Sequence, residues 1–272
     1  MSPASLPPSE RLLQAFARAK AEERPALVCY LMGGDPSLAA SEALLLALDE
    51  AGADVIELGV PFSDPIADGP VLQAAATRAL AAGATLPGLI ALAARVRGKV
   101  RAPLVAMGYC NPFLALGWEK FAAEASAAGL CGAIVPDVPL EESEPLRAAL
   151  GAVGMAWIPL CAPTTGDERL RKLAAAARGF LYYVSVTGVT GARAALPEDL
   201  AAKLLSLRAL SAAPIAVGFG ISTPAQAAAL RGQVDGVVVG SAIVTAHHQG
   251  GVAAAAELVR GLAAALRKPA VS

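Results

Sequence analysis

The chain has 272 residues, and its 22 Lys and Arg residues nearly balance its 23 Asp and Glu residues. This balance argues against a nucleic-acid-binding surface, which usually carries a basic excess. An apolar fraction of 56% excludes a disordered chain. The longest stretches without charge, residues 209–230 and 236–256, are interrupted by Gly, Pro or His. Neither is therefore a continuous apolar span of about 20 residues, the length that crosses a membrane.

Two further features of the sequence bear on metals and location. The four Cys residues have no C-x-x-C spacing and no nearby His pair, so we expect no metal site. The first ten residues contain three prolines and lack the charged and apolar regions of a signal peptide. We therefore expect a cytoplasmic protein.

Taken in chain order, the pattern begins with an amphipathic helix over residues 9–23. From residue 26 onward, short apolar runs alternate with Gly/Pro/Asp loops and Ala/Leu-rich helical patterns. Because these runs are continuously apolar, they predict parallel strands buried on both faces. The eight predicted strands are residues 26–32, 55–58, 104–107, 132–135, 156–159, 181–184, 215–217 and 236–239. The predicted helices between and after them are residues 38–50, 70–81, 86–97, 118–127, 141–151, 167–176, 198–209, 224–230 and 252–266.

Eight βα units in about 250 residues predict an α/β fold, a single-domain (β/α)8 TIM barrel with an extra N-terminal helix. The alternative is a doubly wound open sheet, but no G-x-G-x-x-G follows the first strand. No Ser/Gly-rich linker divides the chain. We therefore expect residues 1–9 to be a variable segment and residues 10–268 to form one barrel, with its chemistry on the loops after the strands.

A base-free stretch contains the first candidate for catalysis. Between Arg24 and Arg78 there is no Lys or Arg, but there are eight acidic residues. Glu57 lies inside an apolar strand, near its C-terminal end. An unpaired carboxylate in that position is costly to ionise, so we expect a raised pKa. A raised pKa suits a group that gives and takes a proton near neutral pH. The alternative is that Glu57 points out of the barrel mouth into water.

The loop that follows this strand, residues 61–70, contains three prolines and two further acids, Asp64 and Asp68. We expect the loop to present both carboxylates above the barrel mouth. Alternatively, either residue is only a turn residue, or Asp68 caps the helix that begins near Pro70. Together with Glu57, the region predicts an acid/base pair.

Glycine-rich loops follow the seventh and eighth strands, at residues 217–222 and 239–243. Many (β/α)8 enzymes bind a phosphate there with backbone N–H groups and a helix N-terminus. Neither loop contains Lys or Arg, so the cradle would be neutral, with the Ser241 hydroxyl as an added donor. The alternative is two tight turns without a ligand. After the sixth strand, residues 185–193 predict a mobile lid, or else an ordinary connector.

The segment ELGVPFSDPIADGP at residues 57–70 closely resembles a signature of the tryptophan synthase alpha subunit family. Further motifs resemble this family in the same order and spacing, over about residues 10–267. They are GDP at 34–36, YCNP at 109–112, PDVP at 136–139, GVTG at 188–191, GFGIS at 218–222 and GSAIV at 240–244. The resemblance implies a carbon–carbon lyase of tryptophan biosynthesis that cleaves indole-3-glycerol phosphate to indole and glyceraldehyde 3-phosphate by a retro-aldol reaction.

The resemblance also implies a partner. Indole would pass to a beta subunit that holds pyridoxal phosphate and joins indole to serine, in an alpha2beta2 hetero-tetramer. This chain itself would hold no cofactor and no metal, and it would bind neither nucleic acid nor membrane.

By the same resemblance, Glu57 handles the protons of indole C3 and of the glycerol hydroxyl, while Asp68 interacts with the indole N–H. The supporting residues implied are Tyr182 and Thr190. The phosphate donors implied are Gly191, Gly220, Gly240 and Ser241. The indole pocket implied consists of Tyr30, Tyr109, Ile134 and Phe219. Asp64 matches a position that faces the beta subunit.

The chain departs from the family pattern at two of the quoted positions. Val186 replaces a lid arginine of some members, and Tyr30 replaces a phenylalanine of some members. Two alternative functions share these residues. One is a stand-alone indole-3-glycerol-phosphate lyase that releases free indole. The other is a non-catalytic subunit that binds a phosphate ester only to regulate a partner.

Overall fold

The structure is a computed structural model that describes residues 6–184, 200–218 and 220–267. Within these ranges, parallel strands alternate with helices. The strands are β1 Ala26–Met32, β2 Val55–Gly59, β3 Leu104–Met107, β4 Leu130–Ile134, β5 Ala156–Trp157, β6 Leu160–Cys161, β7 Leu181–Val184, β8 Ile215–Gly218 and β9 Gly236–Val239. The helices are α1 Pro8–Ala21, α2 Leu38–Ala51, α3 Pro70–Ala81, α4 Leu86–Val96, α5 Cys110–Leu116, α6 Trp118–Ala128, α7 Glu144–Ala152, α8 Asp167–Ala176, α9 Leu200–Leu210, α10 Pro224–Ala229 and α11 Ser241–Leu266.

The strands form one parallel sheet in the order β5-β4-β3-β2-β1-β9-β8-β7-β6. The two ends of this order, β5 and β6, are separated in the chain only by Ile158 and Pro159. The sheet therefore closes on itself as a barrel, with β5 paired to β4 and β6 paired to β7. The predicted eight-stranded barrel is confirmed, and its fifth strand is divided into two segments because Pro159 has no N–H for the ladder.

Most predicted helices are present with small shifts at their ends, and capping side chains account for several starts. Ser37 accepts a hydrogen bond from the Ala40 N–H at the start of α2, and Thr223 forms a capping box with Gln226 at the start of α10. Two helical segments were not predicted. One is α5, and the other is the first part of α11, which precedes a break at Gly251 with φ 69°.

The extra N-terminal helix is confirmed, and it covers the N-terminal end of the barrel. Its buried residues pack with apolar side chains from the barrel interior, including Val28, Val105 and Ala216. The Phe16 and Phe180 rings lie 5.2 Å apart, centroid to centroid. Because this end is filled with side chains, the loops at the C-terminal ends of the strands frame the opposite mouth.

Among the described residues, no single helix has both the length and the apolar character needed to span a membrane. Helices α3 and α4 meet that test only when taken together, and they are bent by 92° relative to each other.

Candidate active site

Glu57 lies on β2 inside the barrel mouth, and its side chain is only 1% exposed. Neither carboxyl oxygen has a hydrogen-bond partner among the described residues. Burial raises the pKa of this carboxyl to about 8, because the apolar surroundings disfavour its charged form. Its orientation into the barrel excludes the alternative in which Glu57 points into water. At neutral pH the group is mostly protonated.

Asp68 lies on the loop between β2 and α3 and is half-buried. The N-cap of α3 is Gly69, and no side chain caps this helix, so Asp68 is not the capping residue. Its backbone N–H instead donates to the Pro65 carbonyl at 3.1 Å. Burial raises the pKa of Asp68 to about 6, and the nearby Tyr109 hydroxyl opposes part of this rise. The Asp68 side chain is therefore mostly ionised at pH 7.

Tyr109 follows β3 and is 5% exposed. Its hydroxyl oxygen accepts the Ala67 N–H at 3.0 Å. Its ring lies against Phe62, with the two ring centroids 5.6 Å apart. Tyr109 therefore contacts the loop after β2 at two points, the Phe62 ring and the Ala67 backbone amide.

Tyr30 and Tyr182 bring two phenols to the same mouth from β1 and β7. Tyr30 stands in register with Glu57 on the neighbouring strand. Burial raises the pKa of both tyrosines well above 10, and the Glu57 and Asp68 carboxylates raise it further. Both phenols thus remain neutral, and both lie close enough to the two carboxyl groups for a charge there to raise the phenol pKa.

Two glycines make room for these phenols. A Cβ on Gly59 would collide with the Tyr30 hydroxyl, and a Cβ on Gly218 would lie 2.8 Å from the Tyr182 hydroxyl. Each phenol therefore extends across a neighbouring strand, which accounts for glycine at the end of β2 and of β8.

Ile134 ends β4 and is fully buried, in register with Met107 of β3. It packs in the barrel interior with Met107, Leu160 and Tyr182. These side chains give one side of the mouth an apolar wall. The sequence did not single out Met107 or Leu160. Met107 is the last residue of a predicted strand, and Leu160 directly follows the end of another.

The glycine-rich loops after β8 and β9 are adjacent, because these two strands pair. Gly220 has a φ of 66°, a left-handed conformation that favours glycine. Gly240 precedes α11, which begins at Ser241 without a side-chain cap. The first N–H groups of this helix therefore point toward the loop, an arrangement that favours an anion. The predicted donors Gly220, Gly240 and Ser241 thus lie at adjoining loops.

Three predicted site residues, Thr190, Gly191 and Phe219, lie outside the described residues, as does the predicted lid at 185–193. Asp64 is exposed on the loop after β2, where its carboxylate accepts a hydrogen bond from the Ser63 hydroxyl. In the parts of the chain that the structure describes, no cluster of three His, Cys, Asp or Glu residues is arranged to hold a metal ion.

One residue of the mouth was quoted only as part of a motif and received no role from the sequence. Asp137, in the loop after β4, accepts the Cys110 N–H with both carboxylate oxygens, at 2.9 and 3.1 Å. Cys110 begins α5 directly after Tyr109. The missed helix α5 is the reason that this contact could not be anticipated.

Comparison with known proteins gives consistent results over almost the whole chain. Residues 16–268 match the family model described as tryptophan synthase alpha chain. The tryptophan synthase alpha chain of Geobacter sulfurreducens is 51% identical over 234 residues, which is 86% of this chain and 89% of the relative. That of Synechococcus elongatus is 48% identical over 259 residues, 94% of this chain and 97% of the relative.

Solved structures agree with these sequence matches. A chain of Mycobacterium tuberculosis tryptophan synthase superposes with a TM-score of 0.90 at 38% identity, covering 95% of this chain and 99% of that one. The tryptophan synthase alpha chain of Legionella pneumophila gives a TM-score of 0.88 at 33% identity, covering 96% and 99% respectively.

Proposed function

Because the chain belongs to the tryptophan synthase alpha chain family, we propose that it cleaves indole-3-glycerol phosphate to indole and glyceraldehyde 3-phosphate in tryptophan biosynthesis. The observation that carries this proposal is the pair of carboxyl groups at the barrel mouth. Glu57 is buried with a pKa of about 8, whereas the pKa of Asp68 is about 6. Near pH 7 one is therefore an acid and the other a carboxylate, the division of roles that acid/base catalysis requires.

In the proposed reaction, protonated Glu57 gives its proton to indole C3. The carboxylate that remains accepts the proton of the glycerol hydroxyl next to C3. The bond between C3 and that carbon then breaks, its electron pair restores the aromatic indole, and the hydroxyl carbon becomes the aldehyde. Glu57 is protonated again at the end, so the cycle consumes no external acid or base.

Asp68 would act on the nitrogen side of the ring. Protonation at C3 places positive charge on the indole nitrogen, and an ionised Asp68 would accept the N–H hydrogen bond and stabilise that charge. The apolar Ile134 wall and the rings of Tyr30 and Tyr109 would hold the indole, together with Phe219. Tyr182, and Thr190 from the lid, would support the two carboxyl groups.

The phosphate group would bind at the loops after β8 and β9. The N-terminus of α11 supports this placement, since its first N–H groups have no side-chain cap. Gly220, Gly240 and Ser241 would be the donors, joined by Gly191. Residues 10–268 would form the whole lyase domain, without a cofactor or metal of its own.

We also propose a beta subunit as the partner, with pyridoxal phosphate bound there, in an alpha2beta2 assembly. Next to Asp64 on the loop after β2, Ile66 is 80% exposed, and Leu114 on α5 is 51% exposed. Large apolar side chains exposed beside the site suit a protein interface better than water. A cytoplasmic location remains a prediction.

The direct test is an indole-release assay on the purified chain, with and without a beta subunit. We expect Glu57→Gln and Asp68→Asn each to abolish indole release while binding of indole-3-glycerol phosphate persists. Asp167→Asn, at the exposed start of α8, is the matched control and should retain full activity. Full turnover by either site variant would overturn the roles. Strong activity that a beta subunit does not stimulate would favour a stand-alone lyase.

A further inference from the structure

A groove lies at the N-terminal end of the barrel, opposite the catalytic mouth. It is lined by residues of α1, by the residues that precede β1, and by the segments that lead into β8 and β9. Its volume is about 860 Å³, which falls within the range of about 300–1,000 Å³ that is usual for small-molecule sites. The reaction proposed above uses none of the residues that line it.

The buried part of the lining is apolar. Phe16 and Val234 are each 4% exposed, and Pro25 is also buried. Leu13 on α1 and Pro214 before β8 are half-buried and extend this surface. The apolar atoms of a ligand would therefore leave water for an apolar surface in this groove, which favours binding.

The polar part of the lining is mainly basic. Four basic residues stand against two acidic ones, namely Lys20, Arg24, Arg208 and Arg231 against Glu23 and Asp235. Arg24 forms ion pairs with Glu22 and Asp54, and Arg208 pairs with Asp235. Among the described residues, Lys20 and Arg231 have no carboxylate within ion-pair distance, so their charges are available to a ligand. The whole chain has a formal net charge of −1, so this basic excess is local.

Backbone oxygens hold the Arg231 guanidinium in place. Its Nε donates to the Ala228 carbonyl at 3.2 Å, and its Nη1 donates to the Arg267 carbonyl at 2.7 Å. A guanidinium has five N–H donors, so three of them have no partner in the part of the chain that the structure describes. Because the two bonds orient the group without neutralising its charge, Arg231 is prepared for the oxygens of an anion.

We propose that this groove is a second binding site, and that its ligand is a small organic anion with an apolar body. Arg231 would bind the anionic group, with Lys20 adding positive charge at the exposed rim, and the apolar body would lie against Phe16 and Val234. The inference does not rest on the proposed function, since the groove and the catalytic mouth lie at opposite ends of the barrel.

The test uses anilinonaphthalene sulfonate as the probe, because it combines aromatic rings with one anionic group. Its fluorescence is titrated with the purified chain at neutral pH, with indole and glycerol 3-phosphate in excess to occupy the catalytic mouth. We expect saturable binding. Arg231→Gln should weaken the affinity about ten-fold and Lys20→Gln about three-fold, in proportion to a hydrogen-bonded charge and an exposed one. Lys20→Gln removes no contact of the described fold, so its effect does not depend on the stability of the variant.

The matched control is Arg171→Gln, at an exposed position on α8 outside the groove, and it should bind the probe as wild type does. In competition, benzoate should displace the probe at a concentration at which neutral benzyl alcohol does not. The absence of saturable binding would overturn the proposal, and so would equal displacement by benzyl alcohol. Binding that both Arg231→Gln and Lys20→Gln leave unchanged would also overturn it, because the probe would then lie elsewhere.

Discussion

Tyr30 stands in register with Glu57 across β1 and β2, and its phenol extends over Gly59, two residues beyond Glu57. The buried Glu57 carboxyl thus lies beside a neighbouring phenol and has no hydrogen-bonding partner among the described residues. Its pKa rises because burial is not compensated by a donor. The same strand pair therefore sets both the position and the protonation state of Glu57.

We predict that Gly59→Ala is destabilising by about 1–3 kcal/mol, the usual cost of overpacking a core. The new methyl group would collide with the Tyr30 hydroxyl, and it would also lie 2.9 Å from the Leu31 carbonyl oxygen. Urea denaturation measures the loss. Removing the hydroxyl with Tyr30→Phe should recover part of the stability in the double variant, but not all of it, because the contacts with the ring Cζ, at 2.6 Å, and with the carbonyl remain. Equal stability of the single and double variants would contradict this account.

The two carboxyl groups predict a bell-shaped dependence of kcat/KM on pH. In the proposed mechanism, activity requires Asp68 ionised, which holds above its pKa of about 6, and Glu57 protonated, which holds below its pKa of about 8. Indole release should therefore be maximal near pH 7 and fall on both sides. Activity that continued to rise through pH 9 would show that Glu57 is not the acid of the first step.

Glu57 should also make folding stability depend on pH. Its folded pKa of about 8 lies above the ordinary value of 4.5, so the folded protein binds the proton more tightly than the unfolded chain. Stability is then highest below about pH 4.5, with respect to this group, and is lost as pH rises toward 8. Glu57→Gln removes the effect and should exceed wild type in stability by up to about 4–5 kcal/mol above pH 8.

Urea denaturation of both proteins between pH 5 and 9 measures this difference. It should be small near pH 5, grow with pH and level off above about pH 8. Asp167→Asn serves as the control for removal of a carboxylate that is exposed. A stability difference that does not vary with pH would mean that Glu57 ionises as easily in the folded protein as in the unfolded chain.

Several of these features could be predicted from the sequence, and the others depend on contacts that a single sequence does not reveal. Glu57 was predictable because burying a lone carboxylate in an apolar strand is costly, and such a residue usually serves a site. For Asp68, the sequence could not distinguish a site carboxylate from a helix N-cap, since the order Asp68, Gly69, Pro70 suits either role. The paths of the Tyr30 and Tyr182 phenols depend on side-chain rotamers that are set by packing in the barrel. The sequence therefore did not indicate that Gly59 and Gly218 make room for these two phenols.

The missed helix α5 has a local cause. Asn111 and Pro112 are typical of a turn, but Pro112 falls in the first turn of α5, where a missing N–H costs little. The division of the fifth strand also follows from a proline, Pro159, whose carbonyl still accepts the Tyr182 N–H at 3.0 Å. In both cases the proline removes one backbone N–H donor, but its presence alone does not show whether it lies in a helix, a strand or a turn.

The N-terminal helix should contribute substantially to stability. Phe16 is 4% exposed, and its ring packs on Phe180. A Cβ at position 236 would collide with the same ring, which accounts for Gly236. Phe16→Ala should cost about 3–5 kcal/mol in the free energy of unfolding, the usual range for a buried phenylalanine. Gln14→Ala, on the exposed face of the same helix, should change stability by less than about 0.5 kcal/mol. Similar effects of the two substitutions would contradict the packing role of α1.

The exposed apolar residues near the mouth predict a separation between catalysis and partner binding. Ile66 is 80% exposed, so Ile66→Glu should leave the fold and the indole release of the isolated chain nearly unchanged. In a proposed complex, the same charge would be buried against the beta subunit without a partner, which is costly. Stimulation by the beta subunit should therefore be lost. The matched control is Leu205→Glu, at a 68% exposed position on α9, and the beta subunit should still stimulate indole release by this variant. Loss of stimulation in both variants would contradict an interface at Ile66.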